Sequence, residues 1–80
     1  MPEFLPRDFM VNLAERRVIH KVSGIWFKFY EYTNEEDWQR SDSVIYRDNP
    51  AWVGDRAELA AAAKEAAIDA GMTARRPAAA

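Results

Sequence analysis

The sequence predicts an α+β fold, in which a small antiparallel β-hairpin or three-stranded sheet packs one face against a C-terminal α-helix. Three stretches of the 80-residue chain predict it. Residues 15–32 are rich in β-branched and aromatic side chains, residues 44–47 (VIYR) resemble them, and residues 56–70 are rich in alanine, the best helix former. We expect one domain over residues 1–72, followed by a flexible tail over residues 73–80.

The N-terminal segment is compatible with two structures. Residues 1–8 contain two prolines and lead into the domain. In residues 9–14 (FMVNLA), Phe9, Val11 and Leu13 alternate as in a strand, whereas Phe9 and Leu13 also share one face of a helix. Asp8 could cap such a helix, so we favour a short helix here and keep a strand as the alternative.

Residues 15–32 are predicted to form a hairpin around Ser23-Gly24, because glycine readily adopts the positive φ of a two-residue turn. That turn sets the register, and side chains that alternate along each strand divide the pairs into two faces. One face is apolar and ends in an Arg16–Glu31 ion pair, whereas the other interleaves cations with rings. The apolar pairs are Val22/Ile25, His20/Phe27 and Val18/Phe29, and the others are Lys21/Trp26, Ile19/Lys28, Arg17/Tyr30 and Glu15/Tyr32.

A short helix and a third strand follow the hairpin. Thr33 and Glu36 fit a capping box, so we expect a helical turn over residues 35–40, with Trp38 turned back onto the core. Residues 44–47 then form the third strand, which Asp48-Asn49-Pro50 ends.

The long C-terminal helix begins near Asp55 and ends before Gly71, which occupies the position that favours glycine after a helix. One stripe of this helix carries mostly methyl groups, from Leu59, Ala63, Ala66 and Ala70. Small side chains allow close approach to a bulky surface, so we expect the stripe to pack on an aromatic sheet face. The sequence leaves open whether that is the His20 face or the Trp26 face.

The composition is that of an ordinary soluble domain, with a net charge of -2, 30% charged residues and 49% hydrophobic residues. The chain has no cysteine, and its single histidine excludes a His/Cys zinc site within one chain. Three scattered glycines cannot form a phosphate loop, so we expect no cofactor and no metal. Without a signal-peptide pattern or an apolar stretch of membrane-spanning length, we expect a cytoplasmic protein that does not enter a membrane.

The cation–ring side of the hairpin is the surface most suited to binding another molecule. Its candidate residues are Arg17, Lys21, Trp26, Lys28, Tyr30 and Tyr32. Three bare rings with Ile19 would reach the roughly 300–600 Å² of the largest apolar patch on a typical monomer, and one helix covers only one face. The leading hypothesis is therefore a non-catalytic protein-interaction or assembly domain that binds a protein partner or forms a homodimer.

Two other classes of function are considered beside the interaction domain. Single-stranded nucleic acid could use the same face, because bases stack on rings while Lys and Arg contact phosphates, but the net negative charge argues against it. A small enzyme could use His20, yet no nucleophile or carboxylate at a nearby spacing supports catalysis. We therefore predict no catalytic residue and no enzymatic activity.

Overall fold

A computed structural model of the chain describes residues 4–76. After a 3₁₀ turn at Pro6–Asp8, the elements are β1 (Phe9–Asn12), β2 (Arg17–His20), β3 (Trp26–Lys28), α1 (Glu35–Arg40), β4 (Val44–Arg47) and α2 (Arg56–Asp69). The strands form one antiparallel sheet in the order β1-β2-β3-β4. The predicted α+β class is confirmed, with one strand more than expected. Within these residues, neither helix is long and apolar enough to cross a membrane.

The additional strand is β1, so the favoured helix over residues 9–14 is wrong. Phe9 is 8% exposed and lies in the core, whereas Met10 is 57% exposed on the other side of the sheet, which is the alternation of a strand. The Asn12 Oδ1 accepts a hydrogen bond from the backbone N–H of Glu15 at 3.0 Å and stabilises the turn into β2. Arg16 ends that turn in the left-handed region, with φ 54°.

The connection between β2 and β3 is a four-residue loop over residues 21–24, so the register predicted from a two-residue turn is wrong. The backbone N–H of His20 donates to the Ile25 carbonyl at 2.9 Å, and Ile19 is paired with Trp26. A shift of two residues leaves every strand side chain on its original face. The predicted division into an apolar face and a cation–ring face therefore holds within the strands, although the individual pairs differ.

Hydrogen bonds within the loop explain its size. The Ser23 Oγ lies 2.7 Å from the His20 Nδ1 and accepts a hydrogen bond from the backbone N–H of Ile25 at 3.1 Å. Gly24 supplies the positive φ, 76°, that closes the loop. Val22, which the predicted register places on the apolar face, is 72% exposed because it belongs to the loop and not to β2.

Helix α2 packs on the His20 face of the sheet, mainly against β1 and β2. The buried stripe runs along Leu59, Ala63 and Ala67, so Ala67 takes the place expected for Ala66, and Ala70 is exposed. Opposite it lie large side chains of the sheet and α1, namely Phe9, Val18, Ile25, Phe27, Phe29 and Trp38. As predicted, Asp55 caps the start of α2, and Gly71 follows its end with φ 102°.

The segment after α2 is packed against the hairpin, in contrast to the flexible tail predicted from residue 73. Ala74 is 2% exposed, and its carbonyl accepts a hydrogen bond from the backbone N–H of Tyr32 at 2.8 Å. The buried guanidinium of Arg16 donates to three backbone carbonyls, those of Phe29 at 2.9 Å, Tyr30 at 3.2 Å and Thr73 at 2.8 Å. We call these contacts of residues 73–74 the clasp. Residues 77–80 of the predicted tail lie outside the described residues.

The predicted ion pair between Arg16 and Glu31 is also replaced. Arg16 uses its donors on carbonyl oxygens, and Glu31 instead forms an ion pair with Arg76 at 3.3 Å. Burial lowers the pKa of Arg16, while the negative charge of Glu31 acts in the opposite direction. Three backbone carbonyls therefore satisfy this buried cation, and the clasp supplies one of them, that of Thr73.

Candidate interaction surface

The side of the sheet opposite α2 is not buried by any residue that the structure describes. The strand registers place two rows of side chains across it. One row contains Met10, Ile19, Trp26 and Arg47, with Tyr46 beside Arg47, and the other contains Asn12, Arg17, Lys28 and Val44. We call these nine residues the open face. None of them is buried.

Two stacked rings lie side by side on β3 and the edge strand β4 of the open face. The ring centres of Trp26 and Tyr46 are 5.4 Å apart and their planes differ by 20°. The Arg17 Cζ lies 4.7 Å from the Trp26 ring centre, and the Lys28 Nζ lies 5.9 Å from the Tyr46 ring centre. Because β2 and β4 flank β3 on opposite sides, Arg17 and Tyr46 approach the indole from opposite sides. Both faces of the indole are therefore occupied by neighbouring side chains.

A β-bulge brings Tyr46 to this position. Trp26 is paired with Arg47 and Phe27 with Ile45, so Tyr46 is an additional residue in β4. A bulge of this kind sets two consecutive residues opposite one residue of the neighbouring strand. Tyr46 and Arg47 consequently both lie next to Trp26, and a ring and a cation share one end of the row.

The open face is positively charged, although the whole chain has a net charge of -2. It contains three cationic side chains, those of Arg17, Lys28 and Arg47, and no carboxylate. The nearest ion pair joins Arg17 to Glu15 at 3.0 Å in the adjacent turn, and such an exposed pair contributes little stability. Three apolar or aromatic side chains of this face are strongly exposed: Met10 (57%), Val44 (43%) and Tyr46 (60%).

The structure brings together three of the six predicted interface residues, Arg17, Trp26 and Lys28. Lys21 lies in the β2–β3 loop because of the shifted register, and it is not opposite Trp26. Tyr30 and Tyr32 follow the end of β3, which has only three residues. Tyr30 is 54% exposed, while Tyr32 is half-buried with its ring centre 6.5 Å from that of Trp38.

Sequence reasoning missed the contributions of β1 and β4 to this surface. Met10 and Asn12 were missed because a helix was favoured over a strand for residues 9–14. The alternation of Val44 and Tyr46 in VIYR was a usable signal, since residues two apart in a regular strand share a face. Arg47 had no such signal, because only the bulge turns it to the same side as Tyr46.

His20, the candidate catalytic residue, is buried in the core and is 2% exposed. Its ring centre lies 5.5 Å from that of Phe4, 5.2 Å from that of Phe9 and 5.8 Å from that of Trp52. Burial lowers the pKa of the imidazole, and Asp8 opposes this effect. Among the described residues the imidazole is thus enclosed by rings, and its contact with the Ser23 Oγ lies within the loop.

A concavity with a volume of about 480 Å³ lies between the end of α1 and α2. Lys64 lines this concavity, and its Nζ donates to the carbonyls of Trp38 and Ser41, both at 2.7 Å, and to the Ser41 Oγ at 2.8 Å. Three acceptors engage all three ammonium protons, so none is free for a ligand. Within residues 4–76, no group of three or more His, Asp or Glu side chains could hold a metal ion.

Comparison of the chain with models of protein families, with curated proteins and with solved structures gave no match.

Proposed function

We propose that this protein is a small non-catalytic interaction domain that binds an acidic protein partner through the open face. The observation that carries the proposal is the pairing of exposed apolar side chains with three cations on a sheet face that α2 leaves bare. Exposed apolar patches rimmed by polar groups are typical of protein-binding sites. Aromatic and arginine side chains, which the open face contains in Trp26, Tyr46, Arg17 and Arg47, contribute most of the binding energy in many interfaces.

Charge complementarity supports an acidic partner over a second copy of the chain. Two open faces stacked on each other would bring together three cations from each molecule, and like charges across an interface are unfavourable. The acidic residues of this chain are concentrated elsewhere, for example in Glu35, Glu36 and Asp37 at the start of α1. A partner with an apolar centre and surrounding carboxylates matches the open face better.

The ring geometry argues against single-stranded nucleic acid as the ligand. Such binding relies on ring faces that are free to stack on bases. Here one face of the Trp26 ring is stacked on Tyr46 and Arg17 lies over the other. A base would have to displace one of these neighbours before it could stack on the indole.

Selection from a phage-displayed library of short random peptides tests the proposal. We expect acidic peptides with one or two apolar residues to be enriched on the wild-type protein. Trp26→Ala and Lys28→Glu should lose them, because one removes the central ring and the other reverses a charge of the open face. Lys21→Glu is the matched control, since it makes the same charge change in the loop and should retain binding.

Two further measurements separate the alternatives. Light scattering of the wild-type protein should give the mass of a monomer at all concentrations, and a dimer that Trp26→Ala converts to a folded monomer would establish self-assembly instead. Labelled single-stranded oligonucleotides should show no salt-dependent binding that Lys28→Glu weakens. Peptides that bind all variants equally would contradict the proposed surface.

A further inference from the structure

We infer that the partner binds in an extended conformation and adds a fifth strand to the sheet along the free edge of β4. This inference rests on the proposed function, because it specifies how the partner of the open face is held. Pairing with an exposed sheet edge supplies backbone hydrogen bonds, while alternate side chains of the added strand supply specificity.

The edge of β4 is available for such pairing. The sheet order places β4 at one end, and among residues 4–76 only β3 pairs with it. The N–H and C=O groups that point away from β3 therefore lack a strand partner within the described part of the chain. An unpaired edge is a ready template for another strand.

Side chains of β4 are uncovered on both sides of the sheet. Ile45 is paired with Phe27 on the α2 side, yet it is 38% exposed because α2 packs mainly against β1 and β2. Tyr46 is 60% exposed on the opposite side. A fifth strand would cover both at once, which a partner docked only on the open face could not do.

The opposite edge strand, β1, offers less uncovered apolar surface to an added strand. Helix α2 packs against β1, and Phe9 on that side is already buried, with 8% of its surface exposed. A strand added there would find apolar surface on the Met10 side only. The two-sided exposure therefore distinguishes β4 from β1 as the pairing edge.

The charges of β4 and its neighbours indicate what the added strand carries. On the open side it would run beside Arg47 and Tyr46, with Lys28 one strand further in. Acidic side chains are complementary there, whereas apolar side chains are complementary to Ile45 on the α2 side. A segment that alternates acidic and apolar residues presents one type to each side.

A second copy of β4 is the less suitable occupant of this edge. The strand has four residues, whereas a stable interface involves about 20–30 residues on each side. Self-pairing through this edge would also lack acidic side chains opposite the cations, because Val44–Arg47 contains none. An extended partner segment can instead continue beyond the strand and contact the open face.

A synthetic peptide that alternates Glu and Val, acetylated and amidated at its ends, is the probe. Two further versions carry backbone N-methyl groups on every second residue, in one or the other frame. Alternate N–H groups of an extended strand point to the same edge, so one frame removes the donors that face β4 and the other removes those that face solvent. Affinity is measured by titration followed by NMR, together with amide hydrogen exchange of Val44–Arg47.

We expect one N-methylated frame to bind about tenfold more weakly or worse, because it removes the backbone donors that face β4. The other frame should bind like the parent peptide, and binding should slow amide exchange in β4. Equal affinity of both frames, with binding still lost in Trp26→Ala, would overturn strand addition and leave the open-face proposal intact. Absence of binding by all three peptides would overturn the inferred acidic strand. The proposed function would then still be judged separately, by whether the phage-displayed library yields acidic peptides.

Discussion

The ammonium group of Lys64 lies 4.1 Å from the ring centre of Trp38 and donates a hydrogen bond to the Trp38 carbonyl at 2.7 Å. One side chain of α2 thus contacts both the ring and the backbone of a buried residue of α1. The same ammonium also donates to the Ser41 carbonyl just after α1, where cations stabilise the carbonyl end of a helix. This contact connects the short helix, which has six residues, to the long one.

Replacing Lys64 should therefore loosen α1. We expect Lys64→Met, which keeps the aliphatic stem, to lower the free energy of unfolding by about 1–3 kcal/mol, because two carbonyls lose a charged donor. Urea denaturation measures this change. Lys21→Met, at an exposed loop position, should change stability by less than about 0.5 kcal/mol. Equal effects of the two variants would show that the hydrogen bonds of Lys64 contribute nothing to the free energy of unfolding.

Gly54 should tolerate no side chain while Trp52 keeps its position. A Cβ at Gly54 would collide with the indole of Trp52, which also lies near the guanidinium of Arg56 at 5.1 Å. We expect Gly54→Ala to destabilise the domain by about 1–3 kcal/mol, as overpacking does. A double-mutant cycle provides the control, since Gly54→Ala should be nearly neutral in a Trp52→Ala background. A full penalty in that background would place the cause in the backbone instead of the ring.

Stability should fall on mild acidification because His20 is buried. Burial lowers its pKa from the ordinary value of 6.5, so between these two values the unfolded chain binds a proton that the folded chain does not. The contribution of the neutral His20 imidazole to the free energy of unfolding is present above the pKa of the unfolded chain. It is lost as the pH falls through the pKa of the folded chain. Urea denaturation at about pH 7.5 and about pH 5.5 should show this loss in the wild type.

The matched variant for this experiment is His20→Gln, which can still hydrogen-bond the Ser23 Oγ but does not titrate. Its free energy of unfolding should change less between the two pH values than that of the wild type. An identical change in both proteins would assign the acid sensitivity to carboxylates.

Trp26 and Tyr46 should stabilise each other across β3 and β4. Their stacked geometry predicts a coupling of about 0.5–1.5 kcal/mol in a double-mutant cycle with Trp26→Ala and Tyr46→Ala. Trp26→Ala paired with Tyr30→Ala is the control, because Tyr30 lies outside the strand rows and should add independently. Zero coupling between Trp26 and Tyr46 would mean that the rings meet without stabilising the sheet.

Elements with local signals could be predicted from the sequence. Asp55 and Gly71 bracket α2 in the expected positions, and Trp38 in α1 is buried as expected. The two faces of the hairpin also follow from alternation, which survives a register shift of two residues. Three of the six predicted interface residues therefore lie on the open face, and all three belong to β2 and β3.

The remaining features depend on contacts between distant residues. The size of the β2–β3 loop is set by the bond between Ser23 and His20, which competes with a tighter turn. The bulge at Tyr46 exists only in the pairing of β4 with β3, so no short stretch of sequence indicates it. The clasp joins Arg16 to Thr73, whose positions are 57 residues apart.

That separation has a consequence for how the domain folds and unfolds. Closing so long a loop costs chain entropy before any contact is gained, so the clasp is expected to form after the hairpin and α2 have assembled. Interactions absent from the transition state slow unfolding and leave the folding rate almost unchanged. The hydrogen bond from Arg16 to the Thr73 carbonyl is thus expected to lengthen the lifetime of the folded molecule and to contribute little to how quickly it forms.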